Sequence, residues 1–118
     1  MTNGWTVVEA NGELDISFSP LVRDEIGRLL ADGHRHFVLD LCGASFLDSR
    51  GLGMIVAVTK RIQSRHGSLR IACADKRLLR VFSLGGLRPA YSFHDSVEQA
   101  TGQPPSEEGL ADWPCLRR

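Results

Sequence analysis

Residues 37–66 read FVLDLCGASFLDSRGLGMIVAVTKRIQSRH and contain the clearest structural pattern of the chain. In the first six of these residues Phe37, Leu39 and Leu41 fall on one face, which predicts a buried strand. Residues 43–48 read as a loop. From about residue 49 to residue 66, apolar side chains recur at helical spacing, and the predicted buried stripe consists of Leu52, Ile55, Val56, Thr59 and Ile62. A strand followed by a loop and a helix is the repeating unit of α/β proteins.

The flanking sequence repeats this alternation. A strand is predicted at 5–10, a helix from Ser19-Pro20 to Gly33, a strand at 69–73, and a short helix after Asp75. A strand at 90–93 and a last helix capped by Asp95 or Ser96 complete the order. The fold class is therefore α/β: a small mixed β-sheet of about four strands flanked by about four helices. We expect one domain over 1–102 and a flexible tail over the proline-containing residues 103–118.

Composition narrows the range of functions. The 118 residues carry 14 basic and 14 acidic side chains, so the formal net charge of zero gives no electrostatic case for nucleic acid or an anionic membrane. No segment reaches the ~18 apolar residues of a transmembrane helix, and no signal peptide is evident. Three cysteines, Cys42, Cys73 and Cys115, lack C-x-x-C spacing and read as reduced thiols, the first two in the core. We expect a cytoplasmic protein.

Three other kinds of site are weakly supported. A serine hydrolase would need a glycine where Leu47 stands, and only His66 and His94 follow Ser49. The His34-x-His36 pair resembles half of a metal site, but no further ligand stands at a convincing spacing. Nucleotide-loop motifs are absent. A basic group near the third predicted helix reads as a solvated face and consists of Lys76, Arg77, Arg80 and Arg88.

Two short segments carry a family resemblance: residues 12–15, GELD, and residues 46–53, FLDSRGLG. Together with residues 38–41, 86–87 and 95–100, in the same order and spacing, they resemble the STAS family, in particular the bacterial anti-sigma-factor antagonists. The likeness extends from about Val7 to Ala100.

The resemblance implies a binding module that is not an enzyme and needs no cofactor or metal. In such antagonists an anti-sigma factor with serine/threonine kinase activity phosphorylates the serine after the loop aspartate, which here is Ser49. The unmodified antagonist binds the kinase and frees a sigma factor, and a phosphatase resets the phosphorylated form. Arg50 stands where the family usually has a second Ser or Thr. The predicted partner-binding residues are Glu13, Asp15, Asp48, Ser49, Arg50, Gly51 and Leu52.

Simpler roles remain open beside these. Ser49 is also suited to be the N-cap of the second helix, and Asp48 to hydrogen-bond its own loop backbone. Glu13 and Asp15 are equally suited to be polar ends of a turn. The alternative function is a STAS scaffold that does not switch, in a signalling assembly or as an accessory subunit of a transporter.

Overall fold

The computed structural model of the chain describes residues 3–14 and 19–105, the side chains of Leu14 and Ser19 excepted. Strands and helices alternate along most of the described chain. The strands are β1 (Thr6–Glu9), β2 (Gly12–Leu14), β3 (His36–Asp40), β4 (Ala44–Leu47), β5 (Ser68–Ala72) and β6 (Ser92–His94). The helices are α1 (Ser19–Ala31), α2 (Ser49–Ser64), α3 (Lys76–Leu84) and α4 (Val97–Ala100), with a 3₁₀ turn at Arg88–Ala90.

The main sheet has four strands in the order β1-β3-β5-β6, and β2 and β4 form a separate two-stranded sheet. The predicted α/β class with about four sheet strands and four helices is confirmed. Every strand pairing in the described ranges is parallel. The prediction of a mixed main sheet is therefore wrong. The predicted loop over 43–48 is also wrong in part, because residues 44–47 form β4. Its pairing partner β2 lies some thirty residues earlier in the chain, so the local pattern does not reveal the strand.

The two faces of the main sheet are covered unequally. The predicted apolar face of β3 is confirmed, since Phe37, Leu39 and Leu41 are buried in the larger core with apolar residues of α1, α2 and α3. Val38 points to the opposite face and is buried as well, in a smaller cluster with Trp5, Ala72 and Ala100. This burial on both faces explains why β3 reads as a continuous apolar run.

Trp5 joins the beginning of the chain to residues that follow α4. Its indole Nε1 donates a hydrogen bond to the Gln103 carbonyl oxygen at 2.8 Å. The Arg70 guanidinium carbon lies 4.4 Å from the Trp5 ring centroid, and Arg70 Nη1 donates to the Ala100 carbonyl at 2.8 Å. Residues 106–118 of the predicted tail lie outside the described residues, so the domain boundary at 102 stays a prediction.

Several local predictions are resolved by the backbone. Gly33, with φ of 98°, follows the end of α1, and Ser96 caps α4 by accepting from Gln99 N. Cys73 is buried as predicted, but Cys42, also predicted in the core, is exposed; it lies two residues beyond the end of β3, in the segment that leads to β4. Within the described ranges, no helix combines the length and apolarity needed to cross a membrane.

Candidate functional site

The candidate site lies where β4 gives way to α2. Asp48 is the residue between them, and its extended backbone, with φ of −117° and ψ of −172°, places it at the N-cap. Its Oδ1 accepts hydrogen bonds from the backbone N–H groups of Arg50 and Gly51, each at 3.0 Å. Asp48 therefore satisfies two of the amide donors that every helix leaves free at its start.

This geometry corrects one interpretation of Ser49 and confirms one of Asp48. Ser49 is not the cap of α2, because that position belongs to Asp48; Ser49 is the first residue of the helix proper. Asp48 does bond its own local backbone, as its simpler reading predicted. The sequence pattern left the two residues hard to separate, since Ser and Asp are about equally favoured as caps.

Ser49 and Arg50 are both exposed on the first turn of α2. Among the described residues, none forms a hydrogen bond with the Ser49 hydroxyl, and none pairs with the Arg50 guanidinium. The first turn of α2 contains no acidic residue beyond the capping Asp48. The site thus presents a hydroxyl and a cation to solvent, next to a carboxylate that is occupied by the helix backbone.

Gly51 and Leu52 were also predicted to bind the partner, and both are buried. Leu52 is only 8% exposed and belongs to the larger core. A Cβ added to Gly85, just after α3, would approach Leu52 Cδ1 at 3.1 Å, so Leu52 packs close to the end of α3. Their burial fixes the first turn of α2 against the domain, beneath the exposed Ser49 and Arg50.

The other predicted partner-binding residues lie on or after β2. Glu13 is exposed and stands opposite Phe46 in the parallel pair of β2 and β4. Glu13 therefore lies on the strand that pairs with β4, and β4 leads directly into Asp48. Asp15 lies outside the described residues. Phe46 is 47% exposed; it belongs to the quoted motif but is not among the predicted site residues.

The other kinds of site do not assemble around these residues. His66 follows the far end of α2, some 17 residues from Ser49, or ~25 Å along a helix. His94 instead forms a hydrogen bond with Ser92, and its Nε2 lies 2.9 Å from Ser92 Oγ. Of the other two histidines, His34 Nδ1 bonds Thr6 Oγ1 at 2.7 Å and His36 Nδ1 bonds Ser68 Oγ at 3.0 Å. Over 3–14 and 19–105, no group of three His, Cys, Asp or Glu side chains is placed to hold a metal ion.

Cys42 is exposed, but its thiol has the properties of an unreactive one. Partial burial of the sulfur and a hydrogen bond with Asp40 raise the pKa of Cys42 to about 11. Burial likewise raises the pKa of Cys73. Because the thiolate is the reactive form, neither side chain is poised as a nucleophile at neutral pH.

The fold and the site together define a small parallel α/β domain that presents a serine at a helix N-terminus. The family model of the STAS domain matches residues 1–100, and the chain belongs to this family. It is 32% identical over 81 residues to the anti-sigma-B factor antagonist of Bacillus subtilis, covering 69% of this chain and 73% of that protein.

Solved structures agree with this assignment. An anti-sigma factor antagonist from Mycobacterium paratuberculosis superposes with a TM-score of 0.71 at 26% identity, covering 86% of each chain. The Bacillus cell fate determinant SpoIIAA, in its phosphorylated form, gives a TM-score of 0.66 at 23% identity, over 85% of this chain and 89% of that one. The latter likeness concerns the fold alone.

Proposed function

We propose that this chain is an anti-sigma factor antagonist whose binding is switched at Ser49. When Ser49 is unmodified, the chain binds an anti-sigma factor that is also a serine kinase, and a sigma factor is freed for transcription. When Ser49 carries phosphate, the partner is released, and a phosphatase restores binding. The observation that carries the proposal is the exposed Ser49 hydroxyl on the first turn of α2, directly after Asp48. The names of the relatives support the antagonist role.

The electrostatic change is large enough for a switch. Phosphate would add roughly −1.5 to −2 charges at the exposed start of α2. Against a single negative charge on the partner ~4 Å away, at an effective dielectric constant of ~20, one unit of this charge costs about 4 kcal/mol, an upper-end figure. Such a cost corresponds to a roughly thousandfold weaker affinity. The domain therefore needs no refolding to change its binding.

The N-cap directs this charge outward. A helix N-terminus ordinarily receives anions on its free amide groups. Here the Arg50 and Gly51 amides already donate to Asp48, so a phosphate on Ser49 does not reach them without displacing that carboxylate. Like charges on Asp48 and phosphoserine also repel each other. The phosphate is consequently left to solvent, to the Arg50 side chain, or to the partner surface.

The same arrangement suits access by a kinase. The buried Gly51 and Leu52 hold the first turn against the domain, while the Ser49 hydroxyl forms no hydrogen bond with the described residues. A hydroxyl that is exposed and fixed by its helix can enter an enzyme active site with little loss of conformational freedom. In this proposal the partner's ATP supplies the chemistry, and the chain acts in the cytoplasm as a binding module without contacting nucleic acid or membrane.

The experiment that tests the proposal uses purified full-length chain, Mg-ATP and each kinase-type anti-sigma factor of the source organism. Intact mass and peptide mapping report phosphate addition, and calorimetry reports affinity. We expect one kinase to add a single phosphate at Ser49 and to bind the unmodified chain far more tightly than the phosphorylated chain.

Two variants provide the controls. Ser49→Ala should bind the kinase but accept no phosphate. Ser64→Ala, which changes an exposed serine at the other end of α2, should behave like wild type. If phosphorylation occurs elsewhere, or the phosphorylated chain binds unchanged, the switch is wrong. Unchanged binding would favour the alternative of a STAS scaffold that does not switch.

A further inference from the structure

A groove lies beside the Ser49 site, between β4 and α3. It encloses about 180 Å³ and is lined by Ser45, Phe46, Leu47, Arg77, Leu78 and Val81. Leu47 and Leu78 are buried and Val81 is half-buried, whereas Phe46 is 47% exposed. Because Asp48 and Ser49 are the next two residues in the chain after Leu47, the groove lies close to the proposed switch. Its lining is mainly apolar.

The surface around this groove carries a local excess of positive charge. Helix α3 reads KRLLRVFSL and contains no acidic residue, and its Lys76, Arg77 and Arg80 are exposed. Asp75, the cap of α3, pairs with Arg77 at 3.0 Å. Within the described part of the chain, Lys76 and Arg80 have no ion pair. The exposed Arg50, two residues after Asp48 in the first turn of α2, is a further cation. Since the whole chain has a formal net charge of zero, this excess belongs to one surface.

We propose that the groove receives an apolar side chain from an acidic segment of the anti-sigma factor. The inference rests on the proposed function and specifies the chemistry of the partner. The apolar lining favours a buried anchor side chain, and the surrounding cations favour carboxylates next to it. The partner's contact surface thereby extends from Ser49 across Phe46 to Arg80.

This arrangement also supplies the negative charge that the switch needs. An acidic segment held beside Ser49 is attracted by the cations of α3 and Arg50 while Ser49 is unmodified. Phosphate on Ser49 offsets part of that positive charge and repels the same carboxylates. One surface thus explains both the binding and the release.

The test measures the dissociation constant of the purified kinase that phosphorylates Ser49 in the experiment above. Two variants address the two parts of the surface: Phe46→Ser removes an exposed apolar wall of the groove, and Arg80→Glu reverses an exposed charge. We expect about tenfold weaker binding for Phe46→Ser, as for loss of an interface anchor. For Arg80→Glu we expect about fivefold weaker binding than wild type. This difference between the two proteins should become smaller as the salt concentration is raised.

Matched controls separate this surface from others. Leu21→Ser changes a 64% exposed apolar residue of α1, and Lys60→Glu reverses an exposed charge on α2. Both should bind within about twofold of wild type. Thermal unfolding checks that each variant folds. If Phe46→Ser does not fold, the exposed Arg80→Glu decides.

The outcomes distinguish this inference from the proposed function. If the groove variants fold and bind like wild type while Ser49 is still phosphorylated, the groove is not the docking surface and the switch stands. Equal weakening by Leu21→Ser would also overturn the groove assignment. If no kinase phosphorylates Ser49 or binds the chain, the proposed function is wrong, and this inference is wrong with it.

Discussion

Two helices of this domain begin with the same three-residue pattern, Asp-x-Arg, and use it differently. At α2 the residues are Asp48, Ser49 and Arg50; at α3 they are Asp75, Lys76 and Arg77. In both, the aspartate caps the helix and accepts from the arginine backbone N–H, at 3.0 Å in α2 and 2.8 Å in α3. The two helices therefore share the same N-cap hydrogen bond.

The side chains make the difference. Arg77 folds back onto its cap, with Nη2 donating to Asp75 Oδ2 at 3.0 Å, and this pairing lowers the pKa of Asp75. Arg50 makes no such pair among the described residues, and a serine occupies the position between cap and arginine. The start of α3 is thus satisfied internally, whereas the start of α2 presents to solvent a hydroxyl and a cation that pair with none of the described residues. A helix cap common in proteins becomes a candidate site only when its neighbouring side chains stay free.

The largest effect on kinase binding is expected from a negative charge at Ser49, at the start of α2. Ser49→Asp should weaken binding of the kinase by up to about a thousandfold, because it places a carboxylate where the proposal places phosphate. Ser49→Asn, of similar size but neutral, should bind within about tenfold of wild type. Calorimetry with the purified kinase measures both. Equal loss in the two variants would show that shape, and not charge, governs the site.

The caps themselves are expected to differ in their importance for stability. Asp48→Ala should lower the free energy of unfolding by about 1 kcal/mol, since two backbone N–H groups lose their acceptor. Asp75→Ala should cost less, because α3 is shorter and its cap accepts from the backbone N–H of Arg77 alone, whereas Asp48 accepts from two. Urea denaturation of both variants, with Asp48→Asn as the conservative control, measures the difference. A larger loss for Asp75→Ala would reverse our ranking of the two caps.

A smaller, pH-dependent effect should distinguish the caps further. The hydrogen bonds from Arg77 hold the pKa of Asp75 below its ordinary value of 3.8. The ionised carboxylate is therefore favoured in the folded state, and its stabilisation is present above that ordinary value and lost as the pH falls through the lowered one. Carboxyl-carbon NMR titration should show the Asp75 pKa rising in Arg77→Ala. An unchanged Asp75 pKa in that variant would mean that the pairing does not persist in solution.

The smallest effect is expected for Arg50. Because its side chain is exposed and forms no ion pair with the described residues, Arg50→Ala should change the free energy of unfolding by less than about 0.5 kcal/mol. Its effect should appear instead in kinase binding, measured alongside the Ser49 variants. Urea denaturation provides the stability readout. A clear loss of stability would show that Arg50 serves the fold, as Arg77 does.

Much of this comparison was accessible from the sequence. Four features depend on neighbours within a few residues. They are the strand at 37–42, the capping role of Asp75, the helix stripe containing Leu52 and Ile55, and the position of Ser49 at a strand-to-helix junction. The choice between Asp48 and Ser49 as cap was harder. Both residue types suit the position, and only the backbone angles separate them.

Other features required the folded chain. Residues 44–47 become a strand only through pairing with β2, and Phe46 and Arg77 share a groove only because β4 and α3 pack together. The exposure of Cys42 likewise depends on where β3 ends in the fold.

Local patterns were enough to predict the order of the four helices and the four main-sheet strands and the capping of α3 by Asp75, because helix propensity, capping and alternation depend on local contacts. The folded structure was needed to show which site residues are buried, that Arg77 pairs with Asp75 while Arg50 has no ion pair with the described residues, and that Trp5, Arg70 and Gln103 meet. Those outcomes depend on packing and side-chain orientation, much of it between segments far apart in the chain, which no local pattern encodes.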